Sequence, residues 1–345
     1  MKITIQTAHD VVWNKARKLL PVESAFGKGS EFIIRFIREV EQIREQTAKF
    51  IKHKNLICWL ETDKTKIRLS SMPKELEKRL FDDQWKKGVA TILTSGTLSA
   101  GGDFSHIKRT LGLNYLKSRI TETSKLSPFN YKENVLLYIS RNMPFPNNKS
   151  KFYIIAITNE VERLIRATHG HTAVLFTSYK VMDMVWEQLE QQKIQFPMFR
   201  FDKGGIGEIK RFKQSKGGVL LASGALWEGI DIPGDALSML IIVKLPFAVP
   251  DPVSEHEQTQ YPDFATYRES VIVPEMLIKL KQGFGRLIRT ETDTGVVAIL
   301  DSRADKNGSY RKQVLETLPK CRVTDDIEEV KNFIITKKSP EYYCI

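Results

Sequence analysis

The chain has 345 residues, 41% of them hydrophobic and 27% charged, and 53 Lys and Arg against 41 Asp and Glu give a formal net charge of +12. That length supports two domains with a real core, and the basic excess favours an anionic partner, nucleic acid first, over an acidic or neutral one. The three cysteines, Cys58, Cys321 and Cys344, show no CxxC spacing, which argues against a disulfide scaffold, a cysteine-rich zinc site or a four-cysteine iron–sulfur cluster.

The first twenty residues lack the apolar core of a signal peptide. The longest apolar run, "LSMLIIVKLPFAV", is broken by Lys244 and Pro246 well short of a membrane span. The expectation is a cytoplasmic protein with no membrane partner.

In chain order, "EFIIRFIREVEQIREQTAKFIKHKN" places Ile33, Phe36, Ile37, Val40, Ile43, Phe50 and Ile51 close to an i, i+3, i+4, i+7 rhythm. That rhythm predicts a helix with one buried face and a largely basic opposite face, solvated or set against nucleic acid. Two strand-like runs follow, "LICWLET" and "KIRLSSM", then a helix around "KELEKRLFDDQW". After these come short apolar strands that stop at small hydroxyl or glycine residues: "VATILTSGTLS", "TAVLFTSYK", "GGVLLASGALWEGID", "LSMLIIVKLPF" and "GVVAILDSR". Helical segments such as "KVMDMVWEQLEQQ" and "IGEIKRFKQ" lie between them.

Apolar, β-branched runs alternating with helices predict an α/β fold, a parallel sheet covered on both faces whose ligands bind at the carboxyl ends of the strands. The proline- and asparagine-rich stretch "NMPFPNNKSK", residues 142 to 151, is either a flexible connection or a long loop inside one domain.

One stretch stands out chemically. "QGFGRLIR", residues 282 to 289, extends an amphipathic pattern running from Pro274 to Thr290, and on a helical period Gln282, Arg286 and Arg289 share one stripe. Two guanidinium forks on one face match phosphate oxygens, and the alternative is a pair of solvated surface arginines. Gly283 and Gly285 each cost about 1 kcal/mol in a helix interior, which close passage beside another backbone would offset.

Upstream, the glycine-punctuated "ASGALWEGIDIPGDAL" holds Glu228, Asp231 and Asp235. With no further metal shell nearby they read as loop-ordering groups. Trp227 either stacks on a base or fills an interior or interface position. Thr94–Ser95 and Thr177–Ser178 each end a strand, and Ser178 either caps the following helix or shares its amino end with a phosphate. His169 and His171 have the spacing of a metal half-site but are assigned no role.

Taken together these segments resemble the second half of a superfamily 2 helicase of the DinG/XPD-like group. "QGFGRLIR" resembles the family's QxxGRxxR motif VI, and the "TETDTGVVAILDSR" after it runs to a matching D-x-R at Asp301 and Arg303. "ALWEGIDIPGDAL" resembles motif V, "TAVLFTSYK" motif IV, and "ILTSGTLS" motif III with Gly96 in place of alanine. "KLPFAVPDP" and "WLETDKTKIRLSSMPKELEKRLFDD" are also family-like, so the similarity covers about residues 55 to 305 in the family's order.

The resemblance implies a RecA-like lobe, ATP with Mg²⁺ as cofactors, and 5′ to 3′ movement on single-stranded DNA. It makes Arg286 and Arg289 the catalytic arginines facing the γ-phosphate. Gln282 and Gly285 border the nucleotide, and Glu228, Gly229 and Asp231 connect it to the DNA. Thr177, Ser178, Ser223 and Gly224, with Trp227, belong to the DNA track, and Thr94, Ser95 and Thr97 to the coupling of the two lobes. No site metal is expected on this chain.

The pattern also departs from the family. A complete motor needs GxxxxGK followed by Ser or Thr, and an Asp-Glu pair for Mg²⁺. "AFGKGSE" at 25 to 31 has glycine between Lys28 and Ser30, and "FDDQW" at 81 to 85 sits in a helical, charged setting. The expectation is therefore the carboxyl-terminal portion of a helicase. Residues 1 to 92 would be a remnant of lobe 1 and its arch, 93 to 130 motif III and the connection, and 131 to 345 the second RecA-like lobe. Its partners would be single-stranded DNA and a lobe 1 bearing the missing motifs, in cis or in trans. A standalone nucleic-acid-binding or helicase-regulating module without hydrolysis of its own is the alternative.

Overall fold

The computed structural model describes residues 31–52, 55–62, 67–99, 102–125, 127–201, 206–224, 227, 232 and 234–344. Two compact units emerge, neither a single stretch of chain. The first takes in 1–88, 111–116 and 249–266, the second 89–110, 117–248 and 267–345. Divisions drawn at residues 92 and 130 both fall inside the second unit.

In the first unit, helix α1 (Glu31–Lys52) occupies the expected stretch, although Ile43, assigned to its apolar stripe, is 55% exposed. Strands β1 (Leu56–Thr62) and β2 (Ile67–Pro73) form an antiparallel pair with Leu60 opposite Leu69. Helix α2 (Leu76–Asp83) follows. Its "FDDQW" acids are exposed and ion-paired on the surface, Asp82 with Lys86 at 3.4 Å and Asp83 with Arg79 at 3.5 Å. A further helix of this unit is held by a capping box in which Asp251 and Ser254 satisfy each other's backbone amides.

The second unit opens with a difference from expectation. "VATILTS" forms no strand, and Val89 and Ile92 are 72% and 91% exposed. A strand is stable only when its backbone pairs with a neighbour, and among the described residues none lies alongside. A short helix, α3 (Ser105–Thr110), comes next.

The body of this unit is a sheet built from β3 (Val135–Ile139), β4 (Thr172–Phe176), β5 (Met198–Phe201), β6 (Val219–Ser223), β7 (Met239–Ile242), β8 (Gly295–Ile299) and β9 (Arg322–Thr324). Its order is β5-β6-β4-β7-β8-β3-β9 and every pairing is parallel. This is the RecA-like α/β architecture the sequence predicts.

The core lies on both faces because strand side chains alternate. One face sets Leu137, Leu175, Leu220, Leu240 and Val297 against α6 (Ile206–Gln214), α8 (Val273–Phe284) and α9 (Arg311–Thr317). The other sets Leu136, Val174, Leu221, Ile241 and Ala298 against α4 (Lys151–Ala167), α5 (Tyr179–Gln191) and α10 (Ile327–Lys337). Helix α7 is the capped Pro252–Gln258 of the first unit. Each fully buried aliphatic side chain contributes about 1.5–3 kcal/mol.

The stretch 142–151 is an ordered loop of this unit, fixed by buried Met143 and Pro146 and ending at Ser150, which caps α4 by accepting from the Tyr153 amide at 3.3 Å. The chain's last segment is pinned to the lobe. Tyr342 stacks on His171 with ring centroids 3.9 Å apart, its hydroxyl donates to the Thr168 carbonyl at 2.7 Å, and His171 Nε2–H donates back to the Tyr342 carbonyl at 3.1 Å. Lys338, with its side chain only 2% exposed, donates to Asp235 at 2.6 Å and to the Thr294 carbonyl at 2.7 Å. The two histidines thus serve packing, His169 through Nε2–H to the Tyr343 carbonyl at 3.1 Å. No described helix is long and apolar enough to cross a membrane.

Candidate functional site

The arginine stretch does not continue as a helix. A π-helical turn, Arg268–Ile272, leads into α8, which ends at Phe284, with Gly285 as its C-cap. Gly285 to Leu287 form a turn, and Ile288 and Arg289 lie beyond it. The expected single helical stripe therefore breaks into a helix end carrying Gln282 and a turn presenting Arg286. The two glycines differ accordingly. Gly285 tolerates the termination at φ −65°, whereas a Cβ on Gly283 would meet the Trp227 indole at 2.7 Å. The close approach Gly283 permits is to a side chain of its own lobe.

Trp227 is the hub of this arrangement and corrects a sequence expectation. It is 1% exposed, its Nε1–H donates to the Phe176 carbonyl at the end of β4 at 3.1 Å, and its ring fills the space over Gly283. The indole is a core group with no face available for a nucleic-acid base. Its carbonyl accepts from Arg286 through Nε at 3.3 Å and Nη2 at 2.9 Å. A hydrogen-bonded chain thus runs from the carboxyl end of β4 through Trp227 to the Arg286 guanidinium.

Gln282 joins the second element of the site by donating to the Thr97 hydroxyl at 3.2 Å. Thr97 in turn is ordered by Ser95, whose hydroxyl accepts from the Thr97 amide at 3.2 Å, while Thr94 is exposed beside it. Residues of "ILTSGTLS" and "QGFGRLIR", far apart in the chain, therefore touch.

The loop after Arg289 is built around a residue the sequence reading passed over. Asp293 accepts from the backbone amides of Arg289 at 2.7 Å, Thr290 at 2.8 Å and Gly234 at 3.2 Å. Burial pushes its carboxyl up, but those amide bonds outweigh it and hold the group below the usual carboxylate value. The only signal in the sequence was an acid among threonines and a glycine, a composition shared by many surface turns.

At the neighbouring strand ends, β4 and β6 are paired with Phe176 opposite Ser223, which brings Thr177 and Ser178 alongside Ser223 and Gly224. Ser178 caps α5, accepting from the Val181 amide at 3.5 Å. Thr177 and Gly224 are exposed and Ser223 is buried. Gly224 adopts φ +71°, a conformation that favours glycine, while the nearest atom to a Cβ there, the hydroxyl of the exposed Tyr179 at 2.8 Å, is the movable end of a side chain. Glu228, Gly229 and Asp231, like "GKGS" at 27 to 30, lie outside the described residues.

Three carboxylates, histidines or cysteines close enough to hold a metal ion occur nowhere among the described residues. The described residues of the site do not fit a Mg²⁺ shell. What the site offers is a positioned guanidinium, an amide and hydroxyl pair, and a row of small polar groups at strand ends.

The family described as "Helicase C-terminal domain" matches residues 161–321. The ATP-dependent DNA helicase YoaA of Haemophilus influenzae is 31% identical over 322 residues, covering 92% of this chain and 49% of the relative. The YoaA of Escherichia coli is 28% identical over 340 residues, with 97% and 51% covered. The chain thus spans about half the length of these curated relatives. Among solved structures, one titled "XPD_Helicase" is similar in fold with a TM-score of 0.56 at 17% identity, covering 94% of this chain and 64% of that one.

Proposed function

We propose that this chain, whose residues 161–321 match the helicase C-terminal domain family and which is similar along most of its length to YoaA helicases, is the second lobe of a DinG/XPD-like ATP-dependent DNA helicase moving 5′ to 3′ on single strands. Arg286 and Arg289 stabilise the charge that builds on the γ-phosphate of an ATP whose main binding loop and Mg²⁺ carboxylates come from a first lobe, in cis or in trans. Gln282 and Gly285 border that nucleotide, with Glu228, Gly229 and Asp231 beside them. Thr177, Ser178, Ser223 and Gly224 follow the phosphates of the DNA strand.

The observation that carries this reading is the contact of Gln282 with Thr97 beside an Arg286 held by the Trp227 carbonyl. It couples the segment expected to sense the other lobe to the arginine expected to act on the nucleotide. The unpaired apolar run with Val89 and Ile92 exposed supports the same reading, because the sheet of a first lobe would give it a pairing partner.

The test mixes this chain with a separately produced first lobe bearing the P-loop and D-E-A-H sequences and measures ATP hydrolysis with and without single-stranded DNA. The expected result is DNA-stimulated hydrolysis by the mixture, negligible hydrolysis by this chain alone, and a loss of about a thousandfold with Arg286→Ala. An inactive mixture, or full activity with both arginines replaced by alanine, overturns it.

A further inference from the structure

Away from Arg286, a second constellation stands at the carboxyl ends of the adjacent strands β7, β8 and β3. The Arg303 guanidinium lies 4.6 Å from the ring centroid of Phe247 and 5.7 Å from that of Phe145. Phe247 also packs on Tyr310 at 5.2 Å. The guanidinium is locked in place, with Nε donating to Asp301 Oδ1 at 2.9 Å and Nη2 to Oδ2 at 2.6 Å. Asp301 is fully buried and accepts as well from the Leu245 amide at 2.8 Å. A buried carboxylate thus fixes a planar cation against two aromatic rings, one of which faces water.

That ring is Phe145, 69% exposed. Its exposure is built in rather than incidental. Pro144 and Pro146 flank it and restrict the backbone on both sides, and Met143 and Pro146 are buried, so the loop is anchored on either side of the phenyl group it displays. The segment around it, "RNMPFPNNKSK", has no acid of its own; its Arg141 is held in an ion pair by Asp325, at 2.5 Å through Nε and Nη2, while Lys149 and Lys151 are exposed.

We propose that Phe145 is a stacking platform for one base of a bound single-stranded nucleic acid, with Arg303 behind it and Lys149 and Lys151 supplying charge for the flanking phosphates. A rigidly held exposed ring loses little entropy on stacking, every base offers it a π face, and a cation set on the ring adds to the contact. Lys149 and Lys151, which form no ion pair among the described residues, favour a polyanion over a peptide. The inference rests on the chain's role as a nucleic-acid binder and adds a contact outside the motif residues.

The experiment measures binding of a fluorescent single-stranded oligothymidylate, and of an equally long abasic sugar-phosphate strand, by the full chain at several salt concentrations. Phe145→Ala is expected to weaken oligothymidylate binding about tenfold and leave abasic-strand binding and the salt slope unchanged. Phe145→Trp should restore the affinity. Equal oligothymidylate binding by Phe145→Ala and the unaltered chain overturns the inference and leaves the helicase-lobe reading standing. Equal losses on both strands overturn it too. An unaltered chain that binds neither strand removes the stacking role and its nucleic-acid premise together, a result distinct from failure of the Phe145 variant alone.

Discussion

Trp227 lies against the backbone of Gly283 so closely that the first carbon of any side chain there would stand 2.7 Å from the indole. Gly283→Ala must displace the tryptophan whose carbonyl holds Arg286. Overpacking of this kind costs about 1–3 kcal/mol, against about 1 kcal/mol regained from helix propensity. The expected outcome is a net loss of up to about 2 kcal/mol in urea unfolding, together with reduced ATPase in the mixed-lobe assay. Gly285→Ala, where a Cβ meets only carbonyl oxygens at 3.4 and 3.6 Å, should leave stability within about 0.5 kcal/mol.

Arg286 donates through two nitrogens to one carbonyl, a fork that lysine cannot reproduce. Arg286→Lys should keep the charge and lose the position. We expect ATPase of the reconstituted pair to fall at least about a hundredfold with oligonucleotide affinity unchanged. Near-normal turnover in the lysine variant would show that charge alone suffices.

Asp293 gathers three backbone amides around the exit from the arginine turn. Asp293→Ala should cost about 2–3 kcal/mol, since amides left beside a small apolar residue lose charge-assisted bonds. The pH dependence has a definite sign. The folded-state pKa lies below the ordinary value, so the stabilisation is complete above the unfolded-state pKa and disappears as pH falls through the folded one. Thermal scans from neutral to acidic pH should show a smaller acid-induced loss for Asp293→Ala than for the unaltered chain.

How much of this was readable in advance depended on the range of the interaction. Four of the seven parallel strands, β4, β6, β7 and β8, and helices α5 and α6 follow from local patterns such as "TAVLF" and "GVVAI", and the motif residues were identifiable as types, whereas β3, β5 and β9 were not read from the sequence. Whether "VATILTS" forms a strand depends on a neighbour to pair with, which its own residues cannot specify. The burial of Trp227 and the termination of α8 at Phe284 depend on each other across distant segments, so neither glycine could be assigned its role from spacing alone. Asp293 orders backbone rather than another side chain, and such bonds leave no pattern in the sequence.

His171, packed on Tyr342 and bonded to its carbonyl, should make the hold on the chain's last segment weaken in acid. Burial pushes its pKa below the ordinary value, outweighing the hydrogen bond to the Tyr342 carbonyl and the nearby Asp235 carboxylate, with His169 acting in the same direction as burial. A base with a depressed folded-state pKa binds fewer protons folded than unfolded, so its contribution is whole above the unfolded-state value and declines as pH drops below it. Between about pH 7 and pH 5 the melting temperature should fall more for the unaltered chain than for His171→Gln. Parallel curves for the two proteins would sink the idea.

The strand order carries a consequence for how the molecule is made. Among the described residues strand β3 pairs with β8 and β9, Val135 opposite Gly295 and Leu136 opposite Arg322. Strands β4, β5 and β6 can assemble among themselves much earlier in the chain. During synthesis β3 therefore emerges as an apolar strand without a mate and stays so until most of the chain has left the ribosome, the slow, non-local closure that favours misassociation. Nascent chains stopped short of Gly295 should be the species that chaperones retain.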